Sequence, residues 1–384
     1  MPLAESIATR LRDAGHQVWF VGGCVRDELL GRPAKDIDIA TSAQPDELLR
    51  LFPRAGQVGA HFGVLLVPEG SERVEVATFR SDDIYADGRH PSAVHFESNP
   101  REDALRRDFT INALFRDPFS GEVLDFSTGR QDLAAKLIRT VGDPERRFRE
   151  DHLRLLRAVR FAAGLSFDIE PITWHAMQQL APLIRTVSIE RVRDELIRIL
   201  TEGGARRGFE LLEKSGLLRE ILPEAAGQIA LLPGRPSLTL ALGILLHRAE
   251  NSREILSRLH FPGNVIEPVA ALVENQSRFA EAPKMRESEL KRFLRMEHFE
   301  EHLELQGITC PTSNCDFIRR AQQRFTPESL HPPTLVSGHD LIAAGFTPGP
   351  LLGQALREIE DAQLENRLAT REEALDFARR FLRQ

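Results

Sequence analysis

The chain has 384 residues, 42% hydrophobic and 28% charged, a balance typical of globular proteins and a length that accommodates two to four domains at about 100–200 residues each. No apolar run approaches the roughly 20 residues that span a bilayer. Met1 to Arg12 lacks the apolar core of a signal peptide, and three cysteines (Cys24, Cys310, Cys315) make no disulfide framework. A membrane protein and a stapled secreted domain are therefore excluded, and a cytoplasmic location is expected. The net charge of −7 weighs against a nucleic-acid partner only globally, because binding follows local fields. Arginines do cluster, at Arg146, Arg147 and Arg149 and again at Arg154, Arg157 and Arg160.

In chain order, Met1 to Arg12 reads as a helix, and Val18 to Val21 as a short strand ending in Gly22-Gly23. Asp36-Ile37-Asp38-Ile39-Ala40 alternates with period two and reads as a half-buried strand. Ala43 to Phe52 predicts a helix. Val64–Val67 and Val74–Phe79 predict strands, and His95-Phe96 and Leu114-Phe115 are expected to complete one small sheet, with Asp108 to Leu114 as a flanking helix. From about residue 145 strand signals stop. Leu153 to Leu165 is amphipathic, and Ser188 is placed to cap a helix through Leu200. Gly208–Leu218, Leu238–Arg248, Val265–Phe279, Leu351–Arg367 and Thr370–Leu382 continue the helical pattern. Pro and Gly near 222–236, 261–263 and 331–333 mark joints. The expectation is a small α+β head on an all-α remainder.

The strongest local signal is Gly22-Gly23-Cys24-Val25-Arg26-Asp27 followed by Asp36-Ile37-Asp38. Residues i and i+2 of a strand share a face, so Asp36 and Asp38 are expected side by side, projecting from one edge of the sheet. Two carboxylates that close repel unless a cation lies between them. Mg²⁺ suits such a pair, because it takes a few carboxylates plus phosphate oxygens and water. The paired glycines leave backbone N–H groups open to a phosphate, and Arg26 adds a cation. Glu75, on the alternating strand Val74-Glu75-Val76, is either a third acid of the cluster or a surface glutamate. An Asp-x-Asp by itself is also common on exposed strands.

Taken together, these residues resemble the first motif of class II tRNA nucleotidyltransferases and bacterial poly(A) polymerases. Arg106-Arg107-Asp108-Phe109-Thr110-Ile111-Asn112-Ala113 resembles their second motif. Asp125-Phe126 with Gly129, Asp132-Leu133 and Arg139-Thr140-Val141-Gly142 is similar to the stretch joining head to neck. Glu150-Asp151-x-x-Arg154 resembles the nucleotide-selecting motif, and Ser188-Ile189-Glu190-Arg191 the later neck motif. The tail, Ser337-Gly338-x-Asp340-Leu341 with Gly345 and Pro348-Gly349-Pro350, is similar to bacterial members. Residues 205 to 330 are less distinctive.

The resemblance implies a polymerase-beta-like nucleotidyltransferase head with a small mixed sheet (1–140), a helical neck that selects the nucleotide (141–205), a helical body (206–330) and a helical tail that binds tRNA (331–384). It implies template-independent addition of C and A to the 3′ end of tRNA from CTP and ATP, with release of pyrophosphate. Asp36 and Asp38 would hold two Mg²⁺ ions, with Glu75 as the third catalytic acid. Gly22, Gly23, Arg26 and Arg107 would meet the triphosphate. Asp108 and Asn112 either hold the ribose 2′-OH or pin their own helix. Arg157 and Arg160 extend the nucleotide side. The partner is the tRNA acceptor arm, with no obligatory protein partner.

Asp151 and Arg154 lie three apart, which places them on one helix face, either as a simple ion pair or as a protein template for a base. Cytosine and adenine each offer an amino donor beside an acceptor nitrogen. A carboxylate accepts from the first and a guanidinium donates to the second. Uracil and guanine present the reverse order, so the pair selects C and A together. In the family, the loop corresponding to residues 81–96 allows the switch from C to A addition; here it is present, with Gly88 and Pro91 as hinges. Rival readings are an A-adding enzyme working with a CC-adding one, a poly(A) polymerase, and a non-catalytic tRNA-binding protein. Leu245-Leu246-His247-Arg248 carries Arg where a phosphohydrolase His-Asp pair needs Asp, and Cys310 with Cys315 has no second ligand pair for zinc.

Overall fold

The computed structural model describes residues 2–34, 36–57, 63–69, 72–82, 94–310 and 314–381. They form two compact units, Met1–Leu238 and Thr239–Gln384. The first unit contains a seven-stranded sheet built from β1 (Val18–Val21), β2 (Asp38–Thr41), β3 (Gly56–Gln57), β4 (Val64–Glu69) and β5 (Glu72–Thr78). A two-stranded ribbon, β6 (Arg80–Asp82) and β7 (Val94–Phe96), comes next, and β8 (Leu114–Arg116) and β9 (Val123–Asp125) complete the sheet. Its order is β3-β4-β5-β2-β1-β8-β9. Only β2 and β5 pair in parallel, so the sheet is mixed.

Helices α1 (Pro2–Asp13), α2 (Gly23–Leu29), α3 (Pro45–Leu51), α4 (Pro100–Leu105) and α5 (Gly129–Ala135) accompany this sheet. Then follow α6 (Pro144–Glu150), α7 (Arg154–Leu165), α8 (Pro171–Leu180), α9 (Ile189–Thr201) and α10 (Ala205–Ser215). Four of them start the same way, with a polar residue before proline: Gln44-Pro45, Asn99-Pro100, Asp143-Pro144 and Glu170-Pro171. Proline at the first helical position loses no helical hydrogen bond and forces the preceding residue extended. That residue's side chain is then free to cap. Asn99 accepts from Arg101 N at 2.9 Å, Asp143 from Arg146 N at 2.7 Å and Glu170 from Thr173 N at 2.7 Å.

Several expectations need correction. The β2 strand begins at Asp38, so Asp36 sits just before it and is exposed. β2 is interior, between β5 and β1, and not at a sheet edge. Val94–Phe96 pairs with β6 in a separate ribbon, outside the main sheet. Asp108 to Leu114 is not a helix but a 3₁₀ turn, Thr110–Asn112, leading into β8. Local side-chain bonds there outcompete the helix. Asp108 Oδ1 accepts from Phe109 N at 2.8 Å, and the Thr110 hydroxyl donates to Asp132 at 2.7 Å. A short parallel pairing, Leu137–Ile138 with Asp168–Ile169, persists beyond the head. Ser188 occupies the expected N-cap, but its side chain makes no capping bond. The loop hinges Gly88 and Pro91, with all of 83–93, lie outside the described residues.

The second unit is helical among its described residues. One core gathers Phe279, Phe293, Phe299 and Leu303, with the ring centroids of Phe279 and Phe293 4.9 Å apart. His302 is buried beside Phe279, and its Nδ1 has no partner among the described residues. Burial, then His298 and Arg278, lower its pKa from 6.5 to about 4. The unfolded chain therefore binds a proton between those values that the folded chain refuses, and stability falls as pH drops through the window. Denaturant unfolding should show a loss of about 2 kcal/mol at this group between pH 7 and pH 5, absent from His302→Leu. An identical acid slope in parent and variant would contradict it. No helix among the described residues is long and apolar enough to cross a membrane.

Candidate nucleotide-binding cleft

Strand register brings the acidic residues together. Val21 pairs with Asp38 across β1 and β2, so Gly22, the next residue, leaves the sheet beside that carboxylate. Ile39 pairs with Val76 in the parallel β2–β5 ladder, so Glu75, just ahead of Val76, lies alongside Asp38. An apolar floor of Val21, Ala40, Phe79 and Phe115 supports these strand ends. Burial, Glu75 and Asp36 drive the Asp38 pKa up to about 6 against the opposing pull of Arg107. Charge of one sign is thus concentrated where a cation would relieve it. Among the described residues no three acidic, histidine or cysteine side chains form a closed metal cage. A hard divalent cation needs no such cage, because one or two carboxylates hold it and substrate phosphates complete its shell.

Gly22 marks the meeting point of two motifs. Its φ is +76°, and a Cβ there would stand 3.3 Å from Arg107 Nη1 and 3.8 Å from Asp38 Oδ2. Gly22→Ala should cost about 1–2 kcal/mol of strain and displace Arg107, seen as a lower melting temperature and weaker nucleotide incorporation. Gly23→Ala has ordinary φ and meets Arg26 Nη2 at only 3.6 Å, so it should melt like the parent. Equal melting of the two variants would refute the strain argument.

A cleft of about 470 Å³ is lined by Gly22, Gly23, Arg26, Asp38, Arg107, Asp108, Asn112, Asp151, Arg154, Arg157 and Arg160, together with Arg106 and Phe161. Eleven of the thirteen residues singled out from sequence therefore share one cavity. Asp36 and Glu75 are not in its lining but act on Asp38 electrostatically.

Each cleft arginine is held from behind. Asp103, 1% exposed, accepts from Arg106 at 2.6 Å and Arg107 at 3.0 Å, and the two guanidiniums overcome its burial to lower its pKa. Arg107 Nε is buried and meets no partner among the described residues. Arg26 forks onto Asp27 and donates to Asn112 Oδ1 at 2.8 Å. Arg157 places Nε and Nη2 on one Asp108 oxygen, at 2.8 and 2.6 Å. The other Asp108 oxygen accepts from Phe109 N and Asn112 Nδ2. Burial opposes the Asp108 charge, yet Arg157 and Arg154 hold its pKa down at about 2. Both oxygens are thereby occupied, which suits Asp108 to fixing its neighbours. Buried Glu195 on α9 lies 3.1 Å from Arg160 Nε.

Asp151 and Arg154 do not share a helix face. Asp151 is extended in the joint between α6 and α7, and Arg154 is the first residue of α7. The break arises because the Asp151 carboxylate turns onto Leu153 N at 3.1 Å. The two do not pair with each other either. Asp151 Oδ2 accepts from Arg191 at 2.9 Å, while Arg154 donates to Glu150 at 2.8 Å and to the carbonyls of Arg147 and Arg106. Each is steered separately into the same cleft.

Sequence reasoning passed over Asp103, Glu195 and Phe161 as functional candidates. Asp103 and Glu195 stand out only through tertiary burial, and Phe161 only through its place in the cleft lining.

The description "Poly A polymerase head domain" matches residues 18–139, "Probable RNA and SrmB- binding site of polymerase A" residues 166–228, and "tRNA nucleotidyltransferase domain 2 putative" residues 237–378. The chain is 35% identical over 385 residues to a CCA-adding enzyme of Streptococcus suis, covering 97% of this chain and 94% of that one. It is 35% identical over 387 residues to the CCA-adding enzyme of Streptococcus gordonii, covering 97% and 95%. Among solved structures it is similar to the Bacillus stearothermophilus CCA-adding enzyme in complex with CTP, with a TM-score of 0.84 at 30% identity over 99% of this chain and 97% of that one.

Proposed function

Because this chain belongs to the family of class II CCA-adding enzymes and bacterial poly(A) polymerases, we propose that it completes tRNA by adding C and A residues to the 3′ end from CTP and ATP. The observation that carries the reading is the single cleft holding Asp38, the arginine cluster, Asp151 and Arg154 together.

In the reaction, the tRNA 3′-oxygen forms a bond to the α-phosphorus of the incoming nucleotide. The bond from that phosphorus to the bridging oxygen breaks, and pyrophosphate leaves. The family uses a divalent metal, and we assign Mg²⁺: two ions on Asp36 and Asp38 would, when bound, acidify the attacking hydroxyl and neutralise the leaving group. Glu75 stands beside Asp38 to receive the hydroxyl proton. Gly22 and Gly23 let the triphosphate approach the backbone, and Arg26 and Arg107 bind it. Asn112 faces the ribose, held with Arg157 by Asp108, so selection of the 2′-OH runs through groups that Asp108 fixes. Arg160 completes the positive wall. Asp151 and Arg154 read the pairing edge.

We assign the head to residues 1–140, the nucleotide-selecting neck to 141–205, the body to 206–330 and the tRNA-binding tail to 331–384. The body and tail would grip the acceptor arm mostly through shape and phosphates. The enzyme acts in the cytoplasm without an obligatory protein partner.

The test uses purified chain and three tRNA transcripts, ending before CCA, after C and after CC, with CTP and ATP separately and together. Addition of CCA to the first, then arrest, is expected. Addition of A alone to the transcript ending in CC would make this an A-adding enzyme. Long A tracts would make it a poly(A) polymerase, and binding without incorporation would leave a tRNA-binding protein.

A further inference from the structure

Phe161 is the one aromatic side chain in the lining of the cleft among the described residues. Three guanidinium carbons surround its ring, at 5.2 Å for Arg26, 5.2 Å for Arg157 and 4.6 Å for Arg160 from the centroid. Arg26 comes from α2, beside the glycine turn, whereas Arg157 and Arg160 come from α7, which begins at the base-reading Arg154. Fully buried Phe109 packs nearly perpendicular to the ring, at 78° with centroids 5.7 Å apart, and so fixes its orientation.

Three like charges about one point repel. Asp27 pairs with Arg26 and Asp108 with Arg157, while Glu195 lies 3.1 Å from Arg160 and 4.0 Å from Arg157, so each carboxylate holds one or two of the three. The ring's negative faces supply an attraction from the centre. A leucine of similar apolarity would fill space there and supply none.

We propose that Phe161 is a positioning residue for nucleotide binding: its ring gathers Arg26, Arg157 and Arg160, and so ties the triphosphate side of the cleft to the base side. The inference rests on the cleft being the nucleotide site. The ring acts through arginines, so its effect falls equally on CTP and ATP. It does not touch the reacting atoms, so its effect falls on KM more than on kcat.

The experiment measures kcat and KM for CTP on tRNA lacking CCA and for ATP on tRNA ending in CC. It compares the parent, Phe161→Leu, Phe161→Tyr and a series with mono-, di- and trifluorophenylalanine at 161. Fluorination drains the ring's quadrupole while keeping its shape, so a folding defect in Phe161→Leu leaves the series informative. Phe161→Leu should raise KM about tenfold for both nucleotides, with kcat changed by less than about threefold. Log KM should climb stepwise with fluorine number, and Phe161→Tyr should restore it. A KM that is flat across the fluorinated series would overturn the proposal and reduce Phe161 to packing. A rise for ATP alone would overturn it in favour of direct stacking on adenine. A parent that incorporates neither nucleotide overturns the reaction and the proposal together, whereas an active parent with a flat series overturns the proposal alone.

Discussion

Asp38→Asn is expected to reduce nucleotide incorporation by about 1000-fold or more while melting at a higher temperature than the parent in buffer containing chelator. Both effects have one cause. Asp38 stands beside Glu75 and close to Asp36, and burial with that repulsion pushes its pKa up to about 6. Without a cation the folded state bears this repulsion and the unfolded chain does not. Asparagine keeps the volume and removes one charge, so the fold gains. The same charge is what would attract the metal ion, so catalysis loses. This opposition is a common feature of sites built for function. Single-turnover incorporation and differential scanning calorimetry measure the two halves, with filter binding to confirm that tRNA is still held. A variant that is inactive but melts lower would mean that Asp38 is a structural residue. A variant retaining a tenth of the parent rate would remove Asp38 from the catalytic centre.

The motifs were legible because chemistry demands particular residue types at short spacing. The glycine turn and the two aspartates can be read one by one, Arg107 follows from the family resemblance, an apolar run marks β1, and alternation marks β5 and most of β2. Two kinds of information were not legible. Local competition between side chain and backbone turned Asp108–Leu114 from an expected helix into a 3₁₀ turn, and broke the helix expected to carry both Asp151 and Arg154. In each case an aspartate accepts from a nearby main-chain N–H, at Phe109 and Leu153. Such bonds leave no periodic signal in the sequence, where spacing alone suggests helix. The supporting anions were hidden for a different reason. Asp103, Glu150 and Glu195 are scattered over three helices; Asp103 and Glu150 do stand four residues before Arg107 and Arg154, but the burial of all three carboxylates comes from tertiary packing. Pattern within one helix cannot show that.

The carboxylates behind the arginines also explain how a chain of net charge −7 can hold so dense a positive wall. Arg26, Arg106, Arg107, Arg154 and Arg157 are each locked by an anion within about 3 Å, and Arg160 lies against Glu195. Side chains fixed this way lose little freedom when substrate arrives, which is what preorganised electrostatic sites require. A nucleotide entering with its triphosphate would meet directed donors instead of mobile ones.

Base selection is where that fixation should show most sharply. Arg154→Ala is expected to lower kcat/KM for both CTP and ATP by about 10–100-fold, because a hydrogen bond from a charged donor to the base edge is worth roughly 1.5–3 kcal/mol. Discrimination against UTP and GTP should fall by a similar factor. Asp151→Asn makes a more pointed case. The carboxylate only accepts, so it suits the amino groups of cytosine and adenine, whereas an asparagine amide also donates. Its amide can turn to meet the O4 of uracil, and UTP incorporation should rise relative to CTP. Arg191 donates to one Asp151 oxygen at 2.9 Å and Leu153 N to the other at 3.1 Å; the charged donor is the stronger, so the new amide keeps its oxygen on Arg191, gives up the Leu153 bond and has its NH₂ left to donate to the base. The reversal should therefore be stronger in Asp151→Asn than in Asp151→Ala, where nothing donates. Competition assays with all four nucleotides on tRNA ending before CCA measure the ratios directly. If both variants lose CTP and ATP incorporation while UTP and GTP stay rejected as before, the pair supports the cleft without reading the base, and the template must be sought elsewhere along its wall.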